Sequence, residues 1–225
     1  MTSTDVLEQL QFLGNEENRR GMARFGINAE KAYGIKVPEL KALAKPLKKN
    51  HALALDLWET GMHEARLIAI FIADPKLTTP ELAENWVKDF NSWDICDQAC
   101  IVLFNKTPFA HQKAKEWTLL EPEFERRAGF ALMATLAVHD KKAADEKFIE
   151  FFPFLEKGSA DERNFVKKAV NWAIRQIGKR NRMLNAAAIE LSEKIAQQNS
   201  KSARWIAAHA LRELRDEKQQ ARLKG

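Results

Sequence analysis

Apolar residues in this chain recur at three- and four-residue spacing almost from end to end, a period that admits helices and little else. The pattern marks helices over 5–13, 37–47, 52–58, 63–73, 80–90, 93–104, 109–119, 122–138, 145–155, 161–178, 183–196 and 202–214. Strand signals are sparse: there is one Tyr, little period-2 alternation, and neither an Asn-Gly nor an Asp-Gly turn. Asp74-Pro75, Thr79-Pro80, Thr107-Pro108 and Glu121-Pro122 break the pattern with start-and-stop chemistry, because proline suits a first helical turn. About a dozen short helices are expected.

The helices also come in pairs. Aligning Arg66-Leu-Ile-Ala, Arg127-Ala-Gly-Phe-Ala, Lys168-Ala-Val-Asn-Trp-Ala and Arg204-Trp-Ile-Ala-Ala gives second helices spaced very roughly 30 to 40 residues apart. That irregular period fits degenerate HEAT-like repeats, so an all-α superhelical solenoid of antiparallel helix pairs is expected, with a long concave surface. No linker or low-complexity stretch divides it, so residues 1–225 are expected to form a single repeat domain. The polar run 215–225 reads as a frayed tail.

Two cysteines, Cys96 and Cys100, are too few for a disulfide framework and read as packed, reduced thiols. Residues 1–13 lack a basic leader and a signal-length apolar run, and no segment approaches a membrane span. A soluble cytoplasmic protein without a membrane partner is expected, as a monomer. Residues 160–225 hold 15 Lys and Arg against 7 Asp and Glu, leaving 21 against 24 in the first 159 residues. That asymmetry points to a polyanion engaged from the C-terminal side.

Few side chains stand out as chemistry. On the helix through Trp93-Asp94-Ile95-Cys96-Asp97, positions four apart share a face, so Trp93 lies beside Asp97. The same wheel groups Asp94 with Gln98 and Asn105 on a polar strip and sets Asp97 between Ile101 and Phe104, so Asp97 is expected to be the acid on apolar surface. Arg127 heads a strip of Ala131, Ala134 and Val138 and needs an anionic partner, either a structural carboxylate such as Asp97 or a phosphate. Lys168, Trp172, Arg175 and Lys179 follow at i, i+4, i+7 and i+11 opposite an apolar face. Trp172 is then either an edge tryptophan covered by lysine stems or a flat platform inside a phosphate-binding strip. Trp58, Trp86, Trp117 and Trp205 sit on apolar faces and read as core. The five histidines form no metal-ligand spacing, and there is no phosphate loop, nucleophile elbow or dinucleotide fingerprint, so no metal or cofactor is expected.

Four stretches together resemble the AlkD-like DNA glycosylases of the DNA alkylation repair family: Gly34-Ile35-Lys36-Val37-Pro38, Trp93-Asp94-Ile95-Cys96-Asp97, Arg127-Ala128, and Lys168-Ala169-Val170-Asn171-Trp172-Ala173-Ile174-Arg175. The resemblance runs over almost the whole chain and implies HEAT-like repeats. It places the family's catalytic aspartate on Asp97, its two sugar-flanking tryptophans on Trp93 and Trp172, and its backbone-associated arginine on Arg127. Where the family pattern has a tyrosine, this chain has Phe25, which keeps the ring and loses the hydroxyl. Lys36 is the polar residue of the Gly34–Pro38 turn and is expected to contact DNA, as are Lys168, Arg175 and Lys179 of the basic strip.

The resemblance implies a monofunctional glycosylase acting on duplex DNA that carries N3- or N7-alkylated purines. Such purines are cationic and already good leaving groups, so the barrier lies in the oxocarbenium-like cation that develops on the sugar. A carboxylate among apolar groups would stabilise that cation, and indole faces would add cation–π attraction. The family is thought to grip the backbone of the lesion duplex without burying the base, unlike most enzymes that act on bases. Two other readings compete: a non-catalytic protein that binds branched or distorted DNA, and a repeat scaffold for an acidic protein partner.

Overall fold

A computed structural model describes residues 1–223; every regular element among them is helical, as the apolar period requires. Backbone contacts divide the chain into two units, Met1–Thr107 and Pro108–Gly225.

In the first unit, α1 (Ser3–Leu13) and α2 (Glu16–Met22) precede α3 (Val37–Leu47), α4 (His51–Glu59), α5 (His63–Ile72), α6 (Pro80–Lys88) and α7 (Trp93–Val102). Short 3-10 turns follow α2 at Ala23–Phe25 and α7 at Phe104–Lys106. Helix starts carry the expected chemistry: Thr2 and Asp5 form a capping box on α1, and Thr79 caps α6, where Pro80 is the first residue. Pro75 and Pro108 lie outside helices, and Pro122 is a cap residue.

Helices α3, α5 and α7 lie side by side and run the same way. His63 at the start of α5 meets Asp94 at the start of α7, while Lys41 on α3 lies over the ring of Phe71 near the end of α5. On the other side α4 packs against α5, and Trp58 stacks on Trp86 of α6, with ring centroids 4.1 Å apart. Arg66 lies 5.0 Å from the Trp58 ring and reaches Asp89, which also accepts from Trp58 Nε1 at 2.8 Å. A guanidinium held over an indole and paired to a carboxylate is a well-satisfied way to bury two tryptophans.

The second unit contains α8 (Ala110–Trp117), α9 (Glu123–His139), α10 (Glu146–Ile149), α11 (Phe152–Gly158), α12 (Asn164–Gly178), α13 (Arg182–Ala196), α14 (Lys201–Leu214) and α15 (Glu217–Gln220). Its long helices α9, α12 and α14 again run parallel. Asn171 of α12, fully buried, donates to the Ile206 carbonyl of α14 at 3.1 Å, and Arg180 beyond α12 donates to Ala137 near the end of α9 at 2.7 Å. At Gly129 a Cβ would lie 2.5 Å from the Thr118 amide nitrogen, so α9 approaches α8 closely only because that residue has no side chain.

These bonds carry the repeat period. Trp58–Asp89, His63–Asp94 and Tyr33–Glu64 each span 31 residues, whereas Asn171–Ile206, Arg126–Asp161 and Arg127–Phe165 span 35, 35 and 38. The irregular 30-to-40 spacing in the sequence is therefore a shorter repeat in the first unit and a longer one in the second.

Three expectations need correction. The helix expected over 145–155 is two short ones, α10 and α11, broken at residues 150–151, where the buried Phe151 ring stacks on His111 of α8. Trp205 is not core: it is half-buried, stacked on His209 at 4.1 Å with Lys167 5.1 Å from its ring. The run 215–223 is not frayed, because Asp216 caps α15, Gln220 Nε2 donates to Asn185 Oδ1 and the Leu214 carbonyl, and Leu223 is buried. Residues 224–225 of that expected tail lie outside the described residues.

Candidate nucleic-acid interface

The first unit's site is built on α5. Glu64, with no exposed surface, accepts from three successive amides: Tyr33 at 2.9 Å, Gly34 at 2.7 Å and Ile35 at 3.2 Å. One carboxyl group thus shapes the turn that presents Lys36. Gly34 has φ +81°, and a Cβ there would lie 2.2 Å from the Asn15 carbonyl, so glycine alone fits. Asn15 in turn donates its amide to the Tyr33 carbonyl at 2.7 Å, which ties the start of α2 to the same turn.

The neighbouring residue on α5 points the other way along the repeat. His63 Nε2 lies 2.9 Å from Asp94 Oδ2, and both residues are buried. This reverses the expectation from the helical wheel. Asp94 is 8% exposed, whereas Asp97 is only half-buried. The wheel compared each acid with its own helix, and α5 was the missing neighbour. Burial pushes the Asp94 carboxyl up, but the His63 hydrogen bond and charge, with smaller help from the Ser92 hydroxyl and Ile95 amide, hold it below the ordinary value.

A carboxyl lowered in the folded state adds stability above the ordinary carboxylate range and loses it as pH falls through and below that range. Asp94→Asn is therefore expected to destabilise by about 1–3 kcal/mol at pH 7. The deficit should shrink below about pH 4, as urea unfolding at the two pH values would measure.

Trp93 begins α7, and its indole Nε1 donates to the Phe25 carbonyl at 2.8 Å. The ring is fixed to the turn after α2. Phe25 itself is 69% exposed, an aromatic side chain with no core to fill. Asp97 follows Trp93 by one turn of α7. A cavity of about 870 Å³ is lined by Arg20, Arg24, Phe25, Lys36, His63 and Asp94 among others. The first unit thus gathers Phe25, Lys36 and Trp93 around α2, the Gly34 turn and the start of α7.

In the second unit, Arg127 is buried near the start of α9, and its Nη1 donates to the Phe165 carbonyl at 2.5 Å. A backbone carbonyl is therefore one of the partners of a guanidinium for which the sequence suggested an anion. Glu123, one turn earlier, accepts from the Phe165 amide at 3.2 Å, so both polar groups of Phe165 are taken by α9.

Trp172 is half-buried on α12. With the Gln176 amide oriented so that its oxygen faces the indole, that oxygen accepts from Trp172 Nε1 at 3.2 Å and from Lys179 Nζ at 3.3 Å. The basic strip divides. Arg175 and Lys179 both pair with Glu213 of α14, the lysine at 2.8 Å, whereas Lys168 is exposed. The two downstream cations thus share one carboxylate within the unit.

Glu64 and His63 escaped the sequence reading. Their signal was present as two polar residues side by side at the head of a helix that is apolar from Leu67 onward, His-Glu-Ala-Arg-Leu-Ile-Ala-Ile-Phe-Ile, where each needs a buried partner.

The family model described as DNA alkylation repair enzyme matches residues 6–214. Among solved structures the chain is similar to one described as a new family of proteins related to the HEAT-like repeat DNA glycosylases with affinity for branched DNA structures. That likeness has a TM-score of 0.78 at 20% identity and covers 94% of this chain and 95% of that one. A designed armadillo repeat protein gives a TM-score of 0.39 at 17% identity, over 79% of this chain and 92% of that one. No curated protein matches. The first of these likenesses establishes the fold, an all-α array of HEAT-like repeats, and the match over residues 6–214 places the chain in the DNA alkylation repair enzyme family.

Proposed function

We propose that the protein is a monofunctional DNA glycosylase that hydrolyses the N-glycosidic bond of cationic N3- or N7-alkylpurines in duplex DNA. The observation that carries this reading is the pair on α7: a half-buried carboxylate, Asp97, one turn from an indole whose orientation is fixed by the Phe25 carbonyl. Family membership supports it. The alkylated base leaves without much acid assistance, so the demand falls on the sugar. Asp97 stabilises the developing oxocarbenium-like charge and orients water, and Trp93 offers a π face to the same cation. In the second unit, Trp172 as a ring face and Arg127 as a guanidinium are proposed as DNA contacts of that unit. Phe25, Lys36 and Lys168 are the further DNA contacts, with Arg175 and Lys179 as contributors already shared with Glu213.

The test is release of 7-methylguanine from a defined duplex. Wild-type protein is expected to release free base well above the spontaneous rate, and no excess over that rate would overturn the proposal. A second reading, a non-catalytic binder of branched DNA, is favoured by the description of the similar structure as having affinity for such DNA. Tighter binding to a four-way junction than to a linear duplex, with no base release, would select it.

A further inference from the structure

The C-terminal end of the α3–α5–α7 layer carries a second site. A groove of about 510 Å³ is lined by Lys41, Lys45, Lys48, Lys49, Phe71 and Val102, among others. Lys41 and Lys45, at i and i+4, share a face of α3, and Lys48, just past the helix with φ 53°, lines the same groove. Lys41 Nζ lies 5.5 Å from the centre of the Phe71 ring.

Lys49 anchors the floor. Its Nζ donates to the Phe71 and Ala73 carbonyls at 3.0 and 2.6 Å, which caps the end of α5. Burial lowers the Lys49 pKa, the charge of Lys106 lowers it further, and Asp74 offsets only part of this. Four lysines therefore line a groove whose wall includes no carboxylate, and beneath it Lys49 feels both the charge of Lys106 and the opposing charge of Asp74. Among the described residues Lys41, Lys45, Lys48 and Lys106 make no ion pair, in contrast to Arg66, Arg126, Arg163, Arg175 and Lys179, which do.

Such a concentration of like charge is self-repulsive and is relieved by a polyanion. The groove opens at Val102, the last residue of α7, whereas Trp93 is the first. At 1.5 Å per residue Val102 lies roughly 7 Å along the helix from Asp97 and roughly 13 Å from Trp93. A DNA strand advances about 3.4 Å per phosphate along its axis, so the groove is about two nucleotides from Asp97 and about four from Trp93 along α7.

We propose that this lysine groove binds the phosphodiester backbone of the duplex flanking the lesion, as a DNA contact separate from Trp93 and Asp97. The assignment rests on the DNA reading above but not on catalysis. It also adds an unpaired cationic stripe in the first unit to the basic C-terminal third, where Arg175 and Lys179 share the one carboxylate of Glu213.

The test compares Lys41→Gln/Lys45→Gln with a charge-matched control, Lys76→Gln/Lys88→Gln, whose lysines are exposed elsewhere in the same unit. Binding to unmodified duplex is measured from about 50 to 200 mM salt, with thermal unfolding to establish that both variants are folded. Each lost phosphate contact removes about 0.9 from the slope of log affinity against log salt. The groove variant is expected to lose about 2 from that slope and roughly tenfold or more in affinity at low salt, with the control near wild type. Equal slopes for wild type, groove variant and control would overturn the proposal, as would failure of wild-type protein to bind duplex at all. Loss of slope in a protein that releases no base would uphold the groove and remove only the glycosylase reading.

Discussion

Asp97→Asn is expected to leave folding and duplex affinity near wild type while reducing 7-methylguanine release by about 100- to 1000-fold, the range seen when one preorganised electrostatic group is removed from an active site. Asparagine keeps the size and much of the hydrogen-bonding geometry of the side chain and removes its charge. The half-buried position matters, because a carboxylate partly withdrawn from water acts on a nearby cation through a lower effective dielectric than an exposed one. Trp93→Phe should cost less, since it retains a π face while losing the bond from Nε1 to the Phe25 carbonyl. Single-turnover kinetics with protein in excess separate the two effects from binding. Release by Asp97→Asn within twofold of wild type would remove Asp97 from the chemistry.

The contrast between Asp97 and Asp94 also indicates what the sequence could and could not reveal. Each long helix was visible because its apolar period is local, and the pairing of helices was visible because the period repeats. Burial is not local. Asp94 was assigned to a polar strip with Gln98 and Asn105, yet His63, 31 residues earlier, makes it the more buried acid. Arg175 and Lys179 form a stripe on α12, but Glu213 on the next repeat takes up one of their two charges. Lys41, Lys45 and Lys48 have no comparable meaning in the sequence, because Lys49 and Phe71 join them in one groove only when α3 and α5 are side by side. Trp93 and Phe25 were each singled out, but the hydrogen bond joining them spans 68 residues and has no sequence signature.

The segment least legible in sequence is 16–35, where α2 is short, contributes no buried residue and is followed by a 3-10 turn. It holds its place through Glu64, and this makes the second large prediction. Glu64→Ala leaves the amides of Tyr33, Gly34 and Ile35 without their acceptor and opens a void at a position with no exposed surface. Hydrogen bonds to a charged group contribute roughly 1.5–3 kcal/mol each, and stripping the partner from a buried polar cluster costs about 3–5 kcal/mol in total. At roughly 4–8 °C per kcal/mol for a domain of about 100 residues, thermal unfolding of the first unit should shift down by about 15 °C or more. Glu64→Gln should fall between, because one amide oxygen still accepts while its NH₂ faces donors. Gly34→Ala tests the same turn from the other side: its φ of +81° and the 2.2 Å approach of a Cβ to the Asn15 carbonyl should displace α2. Both the Phe25 carbonyl that orients Trp93 and the rim position of Lys36 depend on this turn, so Glu64→Ala should also weaken duplex binding at temperatures where the protein remains folded. A Glu64→Ala protein within about 1 kcal/mol of wild type in urea unfolding would mean that the carboxyl does not hold the turn.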